Sequence, residues 1–205
     1  TIDTEFSGGG DGAAGLKAPV TDQAVFCYID GQSHGLEFLL RSFAEFGIKA
    51  TFFVEAAHTL LLGPEPMRAA VAAILTAGHD VELHLHPMWL AAAAGEQAPL
   101  NDSMAALDDA QCRRLYETGV AAFAAWGAPA PIAFRAGNLQ MGRAAYRALK
   151  PYGMTLSSSI GIAIHAPPEP LLQIENGRRM IDGILEIPVL TFADLTLGAR
   201  RHLHN

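Results

Sequence analysis

Ala50-Thr51-Phe52-Phe53-Val54 constrains this 205-residue chain more than any other stretch. It is a β-rich run with no polar alternation. A strand with one wet face alternates; a strand covered on both faces does not. Such strands belong to parallel sheets flanked by helices, because parallel neighbours are joined by helical crossovers. The surrounding sequence repeats that unit. Leu36, Leu39, Leu40, Phe43 and Phe46 recur at helical spacing and stop at Gly47. A helix is expected from Pro66 to Thr76, ending at Gly78, and a strand over Asp80–His86, closed by Pro87. Met88–Ser103 reads as loop or weak helix. Helix Asp109–Trp126, strand Ile132–Arg135, helix Arg143–Lys150 and strand Thr155–Ser159 follow, with a late strand over Leu185–Leu190. Near the start, Thr1–Thr4 reads as the end of a strand, Phe6–Asp22 as a long glycine-rich loop and Val25–Ile29 as a second short strand. Short βα units at this spacing predict one α/β domain over 1–205, a distorted, incomplete (β/α) barrel.

Composition removes several classes. Half the residues are hydrophobic and 17% are charged, a globular balance. Fourteen basic residues against 21 acidic give −7, which argues against nucleic acid or an anionic membrane as partner. Cys27 and Cys112 lie far apart with no CxxC spacing, so neither a disulfide framework nor an all-cysteine zinc site is expected. No apolar run approaches the ~18 residues of a membrane span. The chain opens at Thr1 with residues that already read as strand, so a trimmed terminus is expected.

In α/β barrels chemistry sits at the C-terminal ends of strands. Polar residues there are Asp3 with Glu5, Glu55, His84 with His86, and Arg135. His84 and His86 are two apart and share a strand face, with Leu85 turned away. Two imidazoles so placed can reach one metal ion, the favoured reading; the plainer one is a pair of satisfied structural histidines. Asp3 and Glu5 also share a side if the strand continues, one carboxylate then binding metal and the other acting as general base. Spacing alone favours a capped strand leading to a solvated loop. Arg135 either pairs with a carboxylate such as Asp3 or is a surface residue after a short strand. Glu55 reads as solvated, His79 and Glu82 as scaffold, His34 and His58 as structural or solvated. His165 could line a site, and His202 and His204 lie in a basic tail. Ser157-Ser158-Ser159 lacks the glycines of a nucleophile elbow.

Several of these stretches resemble one family. Lys49–Val54 resembles the "kATFFv" strand of the NodB-type polysaccharide deacetylases, carbohydrate esterase family 4. Ala77–His84 is similar to its "aGHEigxH" segment, Phe134-Arg135 to the start of its arginine motif, and Leu156–Ser159 to its "dSS" strand. The order agrees over nearly the whole chain. The resemblance implies removal of N-acetyl groups from a sugar or glycan, with a divalent metal, zinc first, as cofactor and a carbohydrate as substrate. The family's first motif is TFDDG, base then ligand. Tyr28-Ile29-Asp30-Gly31 imitates it but puts Ile29 at the base position. Thr1–Glu5 resembles a divergent D-x-D/E form instead, which makes Asp3 the base and Glu5 a metal ligand. His84-Leu85-His86-Pro87-Met88-Trp89 departs from the usual H-[ST]-x-x-H and resembles the "HLHPxW" of the WalW-like branch associated with lipopolysaccharide biosynthesis. His84 and His86 then complete the metal set, Arg135 aims Asp3, and Trp89 and Asn138 are the expected substrate contacts. That branch implies a bacterial protein, cytoplasmic or membrane-peripheral. The usual Arg-x-x-Pro-Tyr becomes Arg135-Ala136-Gly137-Asn138, and the late L-x-H motif has no clear counterpart, His165 being the substitute within the chain. Two other readings stay open: an inactive glycan-binding domain on the same fold, and a hydrolase of another non-peptide C–N bond.

Overall fold

The computed structural model describes residues 1–6, 22–97, 99–196 and 202–204. Strand β1 (Ile2–Thr4) is followed, past 7–21, by a one-turn helix α1 (Asp22–Val25), a hairpin of β2 (Tyr28–Ile29) and β3 (Gln32–Ser33), and helix α2 (Leu36–Phe46). Next come β4 (Thr51–Glu55), α3 (Thr59–Leu62), α4 (Glu65–Thr76), β5 (Asp80–Leu85), α5 (Met88–Ala93) and α6 (Asp109–Trp126). The last third holds β6 (Ala133–Ala136), α7 (Arg143–Leu149), β7 (Leu156–Ser157), β8 (Arg179–Ile181), β9 (Ile184–Glu186), β10 (Ala193–Thr196) and β11 (His202–His204). The glycine-rich loop expected after Phe6 lies, at 7–21, outside the described residues, as do the side chains of His202 and His204.

Seven strands form one sheet in the order β1-β4-β5-β6-β7-β9-β8, parallel throughout except for β8, which runs antiparallel to β9. Among the described residues β1 and β8 remain edges, so the barrel is incomplete. The β4 run Phe52-Phe53-Val54 is covered on both sides, as its lack of alternation predicts. Asp108 begins α6 with a capping box: its carboxylate accepts from Ala110 N and Gln111 N, and the Gln111 side chain answers to Asp108 N. Cys27 and Cys112 are both unbridged.

Of the strand expected over Val25–Ile29 only Tyr28–Ile29 forms, Val25 belonging to α1. Asp30 and Gly31 both take positive φ, 49° and 77°, the backbone of a two-residue type I′ turn. The dipeptide folds Tyr28-Ile29 back onto Gln32-Ser33 in a separate two-stranded ribbon. Met88–Ala93, read as loop or weak helix, is helical.

The register assigns the faces. Leu83 lies against α6 at Gly119, where an added Cβ would stand 2.6 Å from a Leu83 methyl carbon. Val81, Leu83 and Leu85 therefore face the helices, and Glu82 and His84 face the inside of the sheet. Cross-strand partners in a parallel sheet share a face, so Asp3, Phe53 and Glu82 form one inner row, and Glu55, His84 and Arg135 the next.

Candidate metal centre

Glu55 ends β4, and its cross-strand neighbours His84 and Arg135 lie one residue before the ends of β5 and β6; His86 continues the inner side one residue past β5. The rings of His84 and His86 stand edge to face, centroids 4.9 Å apart. Glu5, just past β1, reaches both. Its Oε2 lies 2.8 Å from His86 Nε2 and 3.6 Å from His84 Nε2.

The other ring nitrogens are occupied. His84 Nδ1 is 2.9 Å from the carbonyl oxygen of Arg135. A carbonyl has no proton to give, so Nδ1 carries the hydrogen and the Nε2 lone pair points into the cluster. His86 Nδ1 is 2.8 Å from Asp102 Oδ2. One candidate ligand atom from each of Glu5, His84 and His86 lies within 4.8 Å of the others. Two imidazoles and a carboxylate, with both Nδ1 atoms anchored, fit the donor set of a catalytic zinc-type site with an open position.

The same geometry shapes the electrostatics of the metal-free protein. Partial burial works to raise the Glu5 carboxyl, but hydrogen bonds and charge from His84 and His86 outweigh it, holding the group well below the usual carboxylate range. Burial opposes a charged His86 ring, yet the hydrogen bonds and charges of Asp102 and Glu5 push it up to about 10. A charged His86 ring donates through Nε2 to Glu5 and through Nδ1 to Asp102, so in the metal-free protein it bridges the two carboxylates.

Asp3 stands beside this cluster with its Oδ1 gripped by Arg135 Nη1 at 2.6 Å. Arg135 is only 4% exposed and makes four hydrogen bonds. It donates through Nε to Ser158 O and through Nη2 to Thr1 Oγ1 and Ser158 Oγ, and its guanidinium carbon lies 4.2 Å from the Phe53 ring centroid. The two open readings of Arg135 thus resolve to a buried partner of Asp3.

A pocket of about 230 Å³ opens over Asp3, Glu5, His84 and His86, with Asn138, Leu139 and Ile164 as its remaining walls. A second, larger cavity of about 430 Å³ shares Asp3 and Glu5 and is otherwise lined mainly by apolar residues, among them Val25, Leu36, Leu39 and Phe52.

Other expectations need correction. Trp89, expected to stack on a sugar, is 1% exposed. It sits in the first turn of α5, edge-on to His58, and its ring belongs to the core. Asn138 lines the pocket, but its amide donates to Asp102 Oδ2 at 2.7 Å rather than facing a ligand alone. Glu55 is not solvated: it is 0% exposed and accepts from Ala57 N, His58 N and His86 N, with His58 Nδ1 3.0 Å away. Period two along β4 was the signal, since it puts Glu55 on the face of Phe53. Asp102 carries no such signal; it lies between α5 and α6, where nothing is periodic. His79 and Glu82 are scaffold, His79 Nδ1 accepting from Ala50 N and Glu82 holding Ile132 N and Ala133 N at the start of β6. His165 is half-buried and its N–H donates to Gly161 O; its neighbour Ile164, not His165, lines the pocket.

No helix of the described residues is long and apolar enough to cross a membrane. No family model matches the sequence, and no curated protein matches it. Solved structures do. A protein described as a polysaccharide deacetylase from Mycobacterium smegmatis is 23% identical with a TM-score of 0.52, over 75% of this chain and 45% of its own. A family 4 carbohydrate esterase from Streptomyces lividans, in complex with acetate, is 22% identical with a TM-score of 0.46, over 62% and 57%. A family 4 acetyl xylan esterase from Clostridium thermocellum, with a cobalt ion, is 18% identical with a TM-score of 0.45, over 70% and 61%. This chain spans about half the length of these structures. At such identity the likeness is one of fold, and the mostly parallel α/β sheet with an open seam is the fold of the polysaccharide deacetylases.

Proposed function

We propose that the protein is a metal-dependent deacetylase that removes N-acetyl groups from a sugar or glycan. One observation carries the reading: Glu5, His84 and His86 converge on a common point beside an Asp3 that Arg135 holds in place. Glu5 Oε2, His84 Nε2 and His86 Nε2 would hold the ion, zinc first. When bound, such an ion supplies Lewis acidity at an acetamide carbonyl and lowers the pKa of water towards about 7.

Asp3 takes the proton of the attacking water. Its Oδ1 is committed to Arg135, which leaves Oδ2 as the proton acceptor. Arg135 cannot swing away, because Ser158 and Thr1 hold the rest of its guanidinium. Once protonated, Asp3 hands that proton to the leaving amine. The 230 Å³ pocket takes the acetamide, and the adjoining 430 Å³ cavity takes more of the substrate. The 2.6 Å Asp3–Arg135 pair beside the cluster favours an active centre over an inactive glycan-binding domain. The apolar lining of the larger cavity favours a second reading, hydrolysis of a small non-sugar amide on the same centre.

Acetate release from N-acetylated oligosaccharides and from small acetamides, with Zn²⁺ or Co²⁺ added, tests both. Release from the oligosaccharides is expected, with Asp3→Asn slower by about 10²- to 10⁴-fold. Undiminished release by the His84→Ala, His86→Ala double variant would overturn the centre.

A further inference from the structure

We propose that Asp102, braced by Asn138, is a positioning residue that fixes His86 as a metal ligand, an inference that rests on the metal-centre reading above. His84 lies within the β5 ladder and takes its anchor from a strand neighbour, the Arg135 carbonyl. His86 lies beyond the ladder and has no strand partner of its own. Its ring is fixed instead by two loops.

Asp102 collects three donors on two oxygens: His86 Nδ1 at 2.8 Å and Asn138 Nδ2 at 2.7 Å on Oδ2, and Met88 N at 3.2 Å on Oδ1. A carboxylate only accepts, so it selects the His86 tautomer with hydrogen on Nδ1 and a lone pair on Nε2. It also makes His86 a more basic donor than a carbonyl would. The loop after β6 is shaped to match. A Cβ at Gly137 would stand 2.5 to 2.7 Å from three atoms of the His86 ring, so only glycine lets backbone and imidazole meet there. Asn138 takes φ 54°, a left-handed conformation that asparagine tolerates better than most residues, and this turns its amide onto Asp102. The stretch Arg135-Ala136-Gly137-Asn138 therefore serves both halves of the site: its first residue aims Asp3 and its last two seat His86.

The test is metal affinity of the full chain, read by competition with a chromophoric chelator, with the visible spectrum of the Co²⁺-loaded protein beside it. Asp102→Ala is expected to weaken Zn²⁺ and Co²⁺ binding about 10- to 100-fold, and to shift the Co²⁺ bands. The melting temperature of the metal-free protein should move by only a few degrees. Asp102→Asn keeps the shape but sets an amide N–H against one of the three donors, so a smaller loss is expected; it decides the matter if Asp102→Ala fails to fold. Asn138→Ala should weaken binding less than Asp102→Ala and add little to it, because both act through one contact. Wild-type affinity and an unshifted spectrum in a folded Asp102 variant, while His86→Ala loses metal, would overturn this inference alone. Undiminished binding by His86→Ala would overturn the metal centre and this inference with it.

Discussion

Two carboxylate–imidazole groups sit side by side on the inner face of the sheet, and their contrast shows what separates a structural group from a site. Glu55 and His58 are both 0% exposed. Backbone N–H groups of Ala57, His58 and His86 take the acceptor capacity of Glu55, and the His58 ring is enclosed by Phe6, Trp89 and Trp126, its Nε2 meeting no hydrogen-bond partner among the described residues. Glu5, by contrast, is 44% exposed, and what it meets are ring nitrogens whose other ends are already anchored. The same residue types thus behave in opposite ways. Where donors are backbone and solvent is shut out, the carboxylate pins a strand end. Where lone pairs converge at the mouth of a pocket, it is available to a cation.

The contrast breaks most sharply in stability. Glu55→Ala strands several buried donors, each costing about 1–3 kcal/mol, and removes one member of a buried pair; about 3–5 kcal/mol in all is expected. For a domain of this size that lowers the melting temperature on the order of 10 °C. Glu5→Ala should leave metal-free melting within a few degrees of wild type but abolish the rise that added Zn²⁺ produces. Thermal melts of both variants with and without Zn²⁺ decide it; equal losses in the two metal-free variants would erase the distinction.

Gly137→Ala probes the same boundary less severely. The new methyl must push the His86 ring, an overpacking that costs about 1–3 kcal/mol. The expected result is a metal affinity lowered about tenfold or more, with little change at the Glu55–His58 group. Chelator competition measures it, and wild-type affinity would mean that the ring has room to move.

Protons give a gentler lever. His86 is raised from 6.5 to about 10, so its contribution to metal-free stability is complete below about 6.5 and is lost as pH rises through about 10. Glu5 is lowered from 4.5, so its contribution is present above that value and is lost as pH falls through its depressed pKa. A metal ion needs His86 unprotonated. Loading Zn²⁺ at pH 8 should therefore release about one proton, and affinity should rise with pH until about 10. Calorimetry in two buffers of different ionisation enthalpy reads the proton directly; no release would mean that His86 is not a ligand.

Legibility followed periodicity. The unalternating Thr51–Val54 run and the heptad-like spacing in Leu36–Phe46 announced parallel strands and covering helices, because burial on a regular element leaves a regular trace. The His84–His86 spacing placed both rings on one face for the same reason. Asp102 left no trace, since a loop residue is brought to its partner by the path of the chain rather than by a repeat. Trp89 misled because an aromatic beside a ligand motif suits a sugar platform and a core plug equally, and only packing decides. Glu55 was readable in principle: the period that buries Phe53 also buries Glu55, and a charge at the end of such a run needs donors, which the following turn supplies.

The smallest effect is expected at the other aspartate that resembles a catalytic motif. Asp30 and Gly31 occupy the two central positions of the β2–β3 turn with positive φ, and Asp30 is exposed. Asparagine-glycine serves a type I′ turn as well as aspartate-glycine. Asp30→Asn should therefore change stability by no more than about 0.5 kcal/mol and leave acetate release at the wild-type rate. Asp3→Asn removes the proton acceptor beside the cluster and should slow release while metal stays bound. Assaying the two variants on one substrate separates a turn residue from a base. A folded Asp30→Asn variant that has lost activity, next to an active Asp3→Asn, would move the chemistry to the hairpin and reduce the Asp3–Arg135 pair to a strand-end tie.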